Sequence, residues 1–188
     1  MERTEKKSKL LVRDMVVIAL FAALMSVCAW ITIPIPGIPF TLQLFAVFAA
    51  LLTLGGKRGT ISIVVYILLG TVGVPVFSGF KGGPSVLLGL TGGYIVGFLF
   101  TGLVYWLITA LAPKKIWIRL LSALAGLIVC YAFGTAWFII VYMNQTGIIG
   151  VWSVLMMCVI PYIIPDLAKI GLAFALSQAL KKALKGQI

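Results

Sequence analysis

The sequence predicts an all-α integral membrane protein with six transmembrane helices, on three observations. Of 188 residues, 62% are apolar and only 10% are charged. A water-facing domain carries roughly a quarter charged residues, so too little polar material is present to cover a surface in water. The apolar residues form runs long enough to cross a hydrocarbon core of about 30 Å, which takes about 20 residues of helix. The basic residues between the runs sort to one side when six spans are drawn, a partition that five or seven would spoil.

The first span runs from Asp14 to Ile33. Residues 1–13 before it are basic and read as the cytoplasmic N-terminus of one transmembrane domain, 1–188. This start mimics a secretory signal, but Met15 to Ile33 is of spanning length and no small-x-small site closes it. Met25-Ser26-Val27-Cys28 has Val27 where a lipoprotein cleavage box wants a small residue, so the segment is expected to stay. The second span, Thr41 to Leu54, is short and follows a Pro-rich loop. The third is Thr60 to Val74, the fourth Thr91 to Leu111, and the fifth Ile116 to Met143, long enough to tilt. Val151 to Ile160 is too short to cross and reads as a half-helix or interfacial piece. Pro165 is read as opening the sixth span, which ends near Leu184, because the first turn of a helix tolerates a missing N–H.

Of the 15 Lys and Arg residues, 13 lie on one side: Arg3, Lys6, Lys7, Lys9, Arg13, Lys57, Arg58, Lys114, Lys115, Arg119, Lys181, Lys182 and Lys185. The other side holds Lys81, and Lys169 lies within the sixth span. Both termini are therefore expected in the cytoplasm. The net charge of +11 reads as contact with anionic headgroups rather than nucleic acid, since no basic patch is interleaved with aromatics in a polar stretch. There is no His, and Cys28, Cys130 and Cys158 stand alone in apolar runs, so they read as small buried hydrophobes. No phosphate-binding Gly-x-x-x-x-Gly-Lys loop occurs, and, with Asp14 at the very edge of the first span, Asp166 is the single acid in a span's interior. Neither catalysis, nor a metal, nor a cofactor is expected.

Two connections on the Lys81 side are apolar rather than polar: Pro34-Ile35-Pro36-Gly37-Ile38-Pro39, and Pro75 to Leu90 with Gly79, Gly82, Gly83, Pro84 and Gly89. Irregular backbone at membrane depth survives where protein covers it or a cavity needs it. Plain turns at headgroup level are the alternative. Two apolar loops on one face favour the cavity.

Asp166 and Lys169 carry the strongest signal. A charged side chain within a span costs roughly 3 kcal/mol by insertion scales, so such residues usually face a partner or a cavity. At i and i+3 they share a helix face, and Asp166, one residue after Pro165, is placed in the first turn, where the helix dipole favours an anion. A self-satisfied ion pair and a ligand site with donors and acceptors are both open. Gln43 offers donors and an acceptor to a ligand, or an interhelical hydrogen bond. Trp30, Phe40, Phe77 and Tyr94 lie toward the outward ends of the spans. They form an aromatic belt or, with Gly-rich backbone such as Gly83, line an apolar slot. Ala19 and Ala23, four apart with Ala22 and Ser26 beside them, form a small-residue face for packing inside the bundle or for a partner's helix.

Four stretches resemble the BioY family, the biotin-specific S components of energy-coupling factor transporters: residues 33–43 (Ile-Pro-Ile-Pro-Gly-Ile-Pro-Phe-Thr-Leu-Gln), 69–79 (Leu-Gly-Thr-Val-Gly-Val-Pro-Val-Phe-Ser-Gly), 82–94 with Gly82-Gly83-Pro84 and Thr91-Gly92-Gly93-Tyr94, and 165–169 (Pro-Asp-Leu-Ala-Lys). The resemblance covers nearly the whole chain. Leu90 stands where the family pattern has Pro, and Pro165 where a Gly often precedes the Asp. The resemblance implies an S-component-like bundle in a bacterial cell membrane and a biotin site near the outer face. It implies that Asp166 and Lys169 contact biotin; Gln43, Tyr94, Phe77, Trp30 and Gly83 are expected around them from their own chemistry and position. It also implies partners, a transmembrane T protein and two ABC-type ATPases; the spacing and small size of Ala19 and Ala23 make them the expected docking face. An S component for another vitamin, such as thiamine, or a ligand-free membrane scaffold is the alternative.

Overall fold

The computed structural model describes residues 2–34, 38–112 and 115–183, with side chains from Val12 onward. All six expected spans form as helices: α1 (Glu2–Trp30), α2 (Gln43–Leu54), α3 (Gly56–Val72), α5 (Gly92–Leu111), α6 (Ile116–Gln145) and α8 (Ile160–Ala183). Two shorter helices, α4 (Pro84–Leu88) and α7 (Val151–Cys158), lie in the connections. α7 is the half-helix expected there. Among the described residues, four segments are long and apolar enough to cross a membrane: Val12–Trp30, α5, α6 and the α7–α8 stretch Val151–Ala183.

α2 is the centre of the bundle. Its residues Gln43, Leu44 and Ala46 to Leu54 are all buried, against α1, α3, α5 and α8. A helix apolar all round has no water-facing side to offer and ends up enclosed. At a rise of about 1.5 Å per residue, twelve residues span about 18 Å, well short of the bilayer core. The space beyond its first turn is closed by loops instead.

At the other end of α2 the final carbonyls have no partner within the helix. The Leu52 carbonyl accepts from Ser177 Oγ at 2.8 Å, Lys181 Nζ at 3.0 Å and the Arg119 guanidinium. Cations at a helix C-terminus also meet its negative dipole end. Arg58 pairs with Asp14 at 2.9 Å nearby in the fold, between α3 and α1. All these charges lie at one end of the bundle, as the sorted loop charges require.

Two helix boundaries differ from expectation. α3 starts at Gly56 rather than Thr60, so Lys57 and Arg58 lie in its first turn and Gly55 alone, at φ +83°, joins α2 to α3. α8 starts at Ile160, so Pro161 rather than Pro165 occupies the first turn, and Pro165 lies inside the helix. Either proline can open a helix, since the first-turn N–H is unpaired anyway. Asp166 is consequently beyond the first turn, and the dipole is not what stabilises its charge.

The Pro-rich connection is a short hairpin. β1 (Thr32–Ile33) pairs antiparallel with β2 (Phe40–Thr41), Thr32 opposite Thr41. The ladder stops there because Pro34 and Pro39 have no N–H to extend it. Ile35, Pro36 and Gly37 lie outside the described residues. The second connection folds back under α3. Gly73, at φ +110°, ends α3, and the Gly83 N–H returns to the Gly70 carbonyl at 2.7 Å. Phe77 is fully buried against Gly70, where a Cβ would lie 2.0 Å from the Phe77 ring.

Candidate functional site

The two apolar loops and the upper ends of α2, α5, α6 and α8 enclose a cavity of about 660 Å³. That is within the range of about 300–1,000 Å³ typical of small-molecule sites. Its wall is apolar and aromatic over most of its area, with Ile38, Pro39, Phe77, Leu90, Tyr94 and Phe98 among the contributors.

Asp166 and Lys169 line this cavity and are each 5% exposed. Lys169 Nζ lies 2.8 Å from Asp166 Oδ1. The other carboxylate oxygen, Oδ2, accepts from the Tyr131 hydroxyl at 2.5 Å. The ammonium also sits 4.1 Å from the centre of the Phe40 ring, a cation–π contact. One helix face therefore presents a carboxylate with spare acceptor lone pairs beside an ammonium with spare hydrogens. In a mostly apolar wall, that combination can meet a group that both donates and accepts.

Gln43, at the first turn of α2, lines the same cavity. Its amide nitrogen donates to the Tyr66 hydroxyl, which donates in turn to the Val76 carbonyl at 3.2 Å. Gln43 thus makes the interhelical bond as well as facing the cavity, and the chain of bonds ties the second loop to α2 and α3. Tyr94 packs on Gly134 of α6, where a Cβ would lie 2.3 Å from its ring, and its hydroxyl bonds Thr135 Oγ1 at 3.1 Å. Phe77 also lines the cavity.

Trp30 and Gly83 do not. Trp30 points to the outer side of α1, where its indole N–H donates to the Pro75 carbonyl at 2.9 Å and its ring stacks on Phe80 at 5.0 Å. It braces the second loop from outside. Gly83, at φ +96°, is the turn that starts α4 and reaches back to Gly70. Both shape the loop rather than the cavity wall.

Tyr131 and Tyr162, which no charge or spacing marks in the sequence, also line the cavity. Tyr162 donates to the Ile38 carbonyl and stacks with Phe40 at 6.2 Å, joining the hairpin to α8. Cys130 and Cys158 are buried in the cavity wall and Cys28 is buried elsewhere, all as free thiols.

Ala19 and Ala23 are exposed on the far side of α1. They border an outward groove of about 450 Å³ between α1, α3 and the second loop. The hydroxyl of Ser26 in that groove donates to the Ala22 carbonyl at 3.1 Å, so its proton is already engaged within α1.

A family model described as the BioY family matches residues 2–186. The chain is 38% identical over 170 residues to the biotin transporter BioY of Thermotoga maritima, covering 90% of this chain and 96% of that one. It is 39% identical, with the same coverage, to the probable biotin transporter BioY of Pyrococcus horikoshii. It is 32% identical to the biotin transporter BioY2 of Lactococcus lactis, over 91% of each chain. In three dimensions it is similar to the crystal structure of the S-component for biotin from an ECF-type ABC transporter. That match has a TM-score of 0.79 and 27% identity and covers 93% of each chain.

Proposed function

The chain belongs to the BioY family, and from that premise we propose that it is the biotin-binding membrane subunit, the S component, of an ATP-driven energy-coupling factor uptake transporter. The observation that carries this reading is the buried Asp166–Lys169 pair in an otherwise apolar cavity of about 660 Å³. Biotin's ureido ring has two N–H donors and a carbonyl acceptor. Asp166 accepts from the former; Lys169 donates to the latter. The thiophane ring and aliphatic tail suit walls such as Phe77, Tyr94 and Phe98. Gln43 closes the floor.

A single domain, residues 1–188, does this in the cell membrane with both termini in the cytoplasm. Its support is the 13-to-one split of basic loop residues. The loop end, with the cavity, then faces outward. The partners are a transmembrane T protein and two ATPases, and the exposed Ala19–Ala23 face of α1 is where a partner helix docks. Small residues there allow close helix approach. Like its relatives, the chain is a transporter subunit and not an enzyme.

Equilibrium binding of labelled biotin to the purified chain, in the absence of ATP and of any other subunit, tests the reading. Saturation at one biotin per chain, undisturbed by excess thiamine, is the expected result. Displacement by thiamine, or no saturable binding at all, would reject it.

A further inference from the structure

Among the residues lining the cavity, three side chains are charged: Asp166, Lys169 and Lys81. Asp166 and Lys169 neutralise each other at 2.8 Å. Lys81 has no ion-pair or hydrogen-bond partner for its ammonium among the described residues, and it is exposed. The cavity therefore carries one uncompensated positive charge, and that charge is at its mouth rather than its floor.

The backbone around Lys81 is held firmly for so exposed a position. Phe77 and Lys81 pair across a tight turn, the Phe77 N–H donating to the Lys81 carbonyl at 2.9 Å. Phe80 inside the turn adopts φ +57°, a left-handed conformation unusual outside glycine. Residues held this way cluster at ligand clamps and persist where their surroundings over-determine them. Those surroundings are visible here. Phe77 is fully buried, Phe80 stacks on Trp30, and Ser78 Oγ meets Thr32 Oγ1 of the hairpin at 3.0 Å. At Gly82 a Cβ would lie 2.4 Å from the Val74 carbonyl, so the backbone after Lys81 is seated as well.

We propose that Lys81 is a specificity-determining residue that recognises the carboxylate of the ligand's tail at the cavity mouth. The inference rests on the biotin reading of this cavity and assigns its far end. With the ureido ring at Asp166 and Lys169, the tail carboxylate is the part of the ligand left near the opening, and an anion there meets the one unpaired cation among the described residues of the lining. A single monoanionic charge balances the cavity; a neutral tail leaves Lys81 unanswered.

The test compares biotin with biotinamide, in which an uncharged amide replaces the carboxylate, on the purified full chain at neutral pH. Lys81 is exposed and its turn is made by backbone bonds, so Lys81→Gln and Lys81→Glu leave the packing alone. Wild type is expected to prefer biotin. In Lys81→Gln the biotin-to-biotinamide affinity ratio should fall by about fivefold, the scale of an exposed ion pair. In Lys81→Glu it should fall further, and added salt should shrink the wild-type preference. An unchanged ratio in both variants, with wild type still binding biotin, overturns the role of Lys81 and leaves the biotin reading standing. Failure of wild type to bind either probe overturns both.

Discussion

Replacing Asp166 by Asn and Lys169 by Gln together separates a ligand-reading pair from a merely structural one. In the wild type Asp166 holds Lys169 at 2.8 Å through one oxygen and Tyr131 at 2.5 Å through the other, with both charged residues 5% exposed. Asp166→Asn alone strands a buried ammonium, and breaking a buried pair in this way costs about 3–5 kcal/mol of stability. Its effect on binding would be confounded with misfolding. The double variant removes both charges while keeping shape and hydrogen-bonding capacity, so the desolvation penalty of the pair disappears with its attraction. Its thermal stability should lie close to wild type, followed by unfolding of the purified protein in detergent. Its affinity should not. A charge-assisted bond to the ureido N–H is worth about 1.5–3 kcal/mol and the neutral amide bond that replaces it about 0.5–1.5, a difference of about 1–1.5 kcal/mol that corresponds to an affinity loss of about 5- to 13-fold, and the loss at Lys169 adds to this. Isothermal titration with biotin reads the difference. Near-normal affinity in a well-folded double variant would refute the assignment of the pair to the ligand.

Tyr131→Phe removes the second donor to Asp166 and leaves a buried carboxylate oxygen short of a partner, so it should lower stability by about 1–3 kcal/mol, seen as a lowered unfolding temperature, and weaken biotin binding by about tenfold in the same titration. Ala19→Trp should abolish uptake in cells carrying the complete transporter and leave binding by the isolated chain intact; equal loss of both would make that face internal packing. Gly70→Ala forces a methyl to within 2.0 Å of the Phe77 ring, and this overpacking should cost about 1–3 kcal/mol, seen as a lowered unfolding temperature. Single cysteines tested with an impermeant label on intact cells should react at position 81 and not at 7, 57 or 182; reaction at 57 would reverse the topology.

The membrane spans were legible because apolar run length is a physical requirement of the bilayer and survives any detail of packing. Asp166 and Lys169 were legible for a related reason: charge in an apolar run is expensive enough to demand an explanation, and i, i+3 spacing puts both on one face. Tyr131 was not, because it is one aromatic among many on α6, and only the turn of α6 toward α8 brings its hydroxyl to Asp166. The place of Trp30 could not be read from periodicity, because its indole bonds the Pro75 carbonyl, 45 residues away in sequence and outside the cavity. The start of α8 was misplaced because Pro161 and Pro165 are equally good openers, and the choice depends on how α7 hands over to α8. The hairpin escaped because strands of two residues between prolines leave no alternation to detect.

A structure of the chain determined with biotin bound is the most direct test of the whole account. The ureido ring should lie within hydrogen-bonding distance of Asp166 and Lys169, beside Tyr94 and Phe77, with the tail directed to Lys81 and the two loops over it. Biotin found in the outer groove beside Ala19 and Ala23, or in the cavity with its carboxylate against Lys169 and its ureido ring toward Lys81, would contradict it.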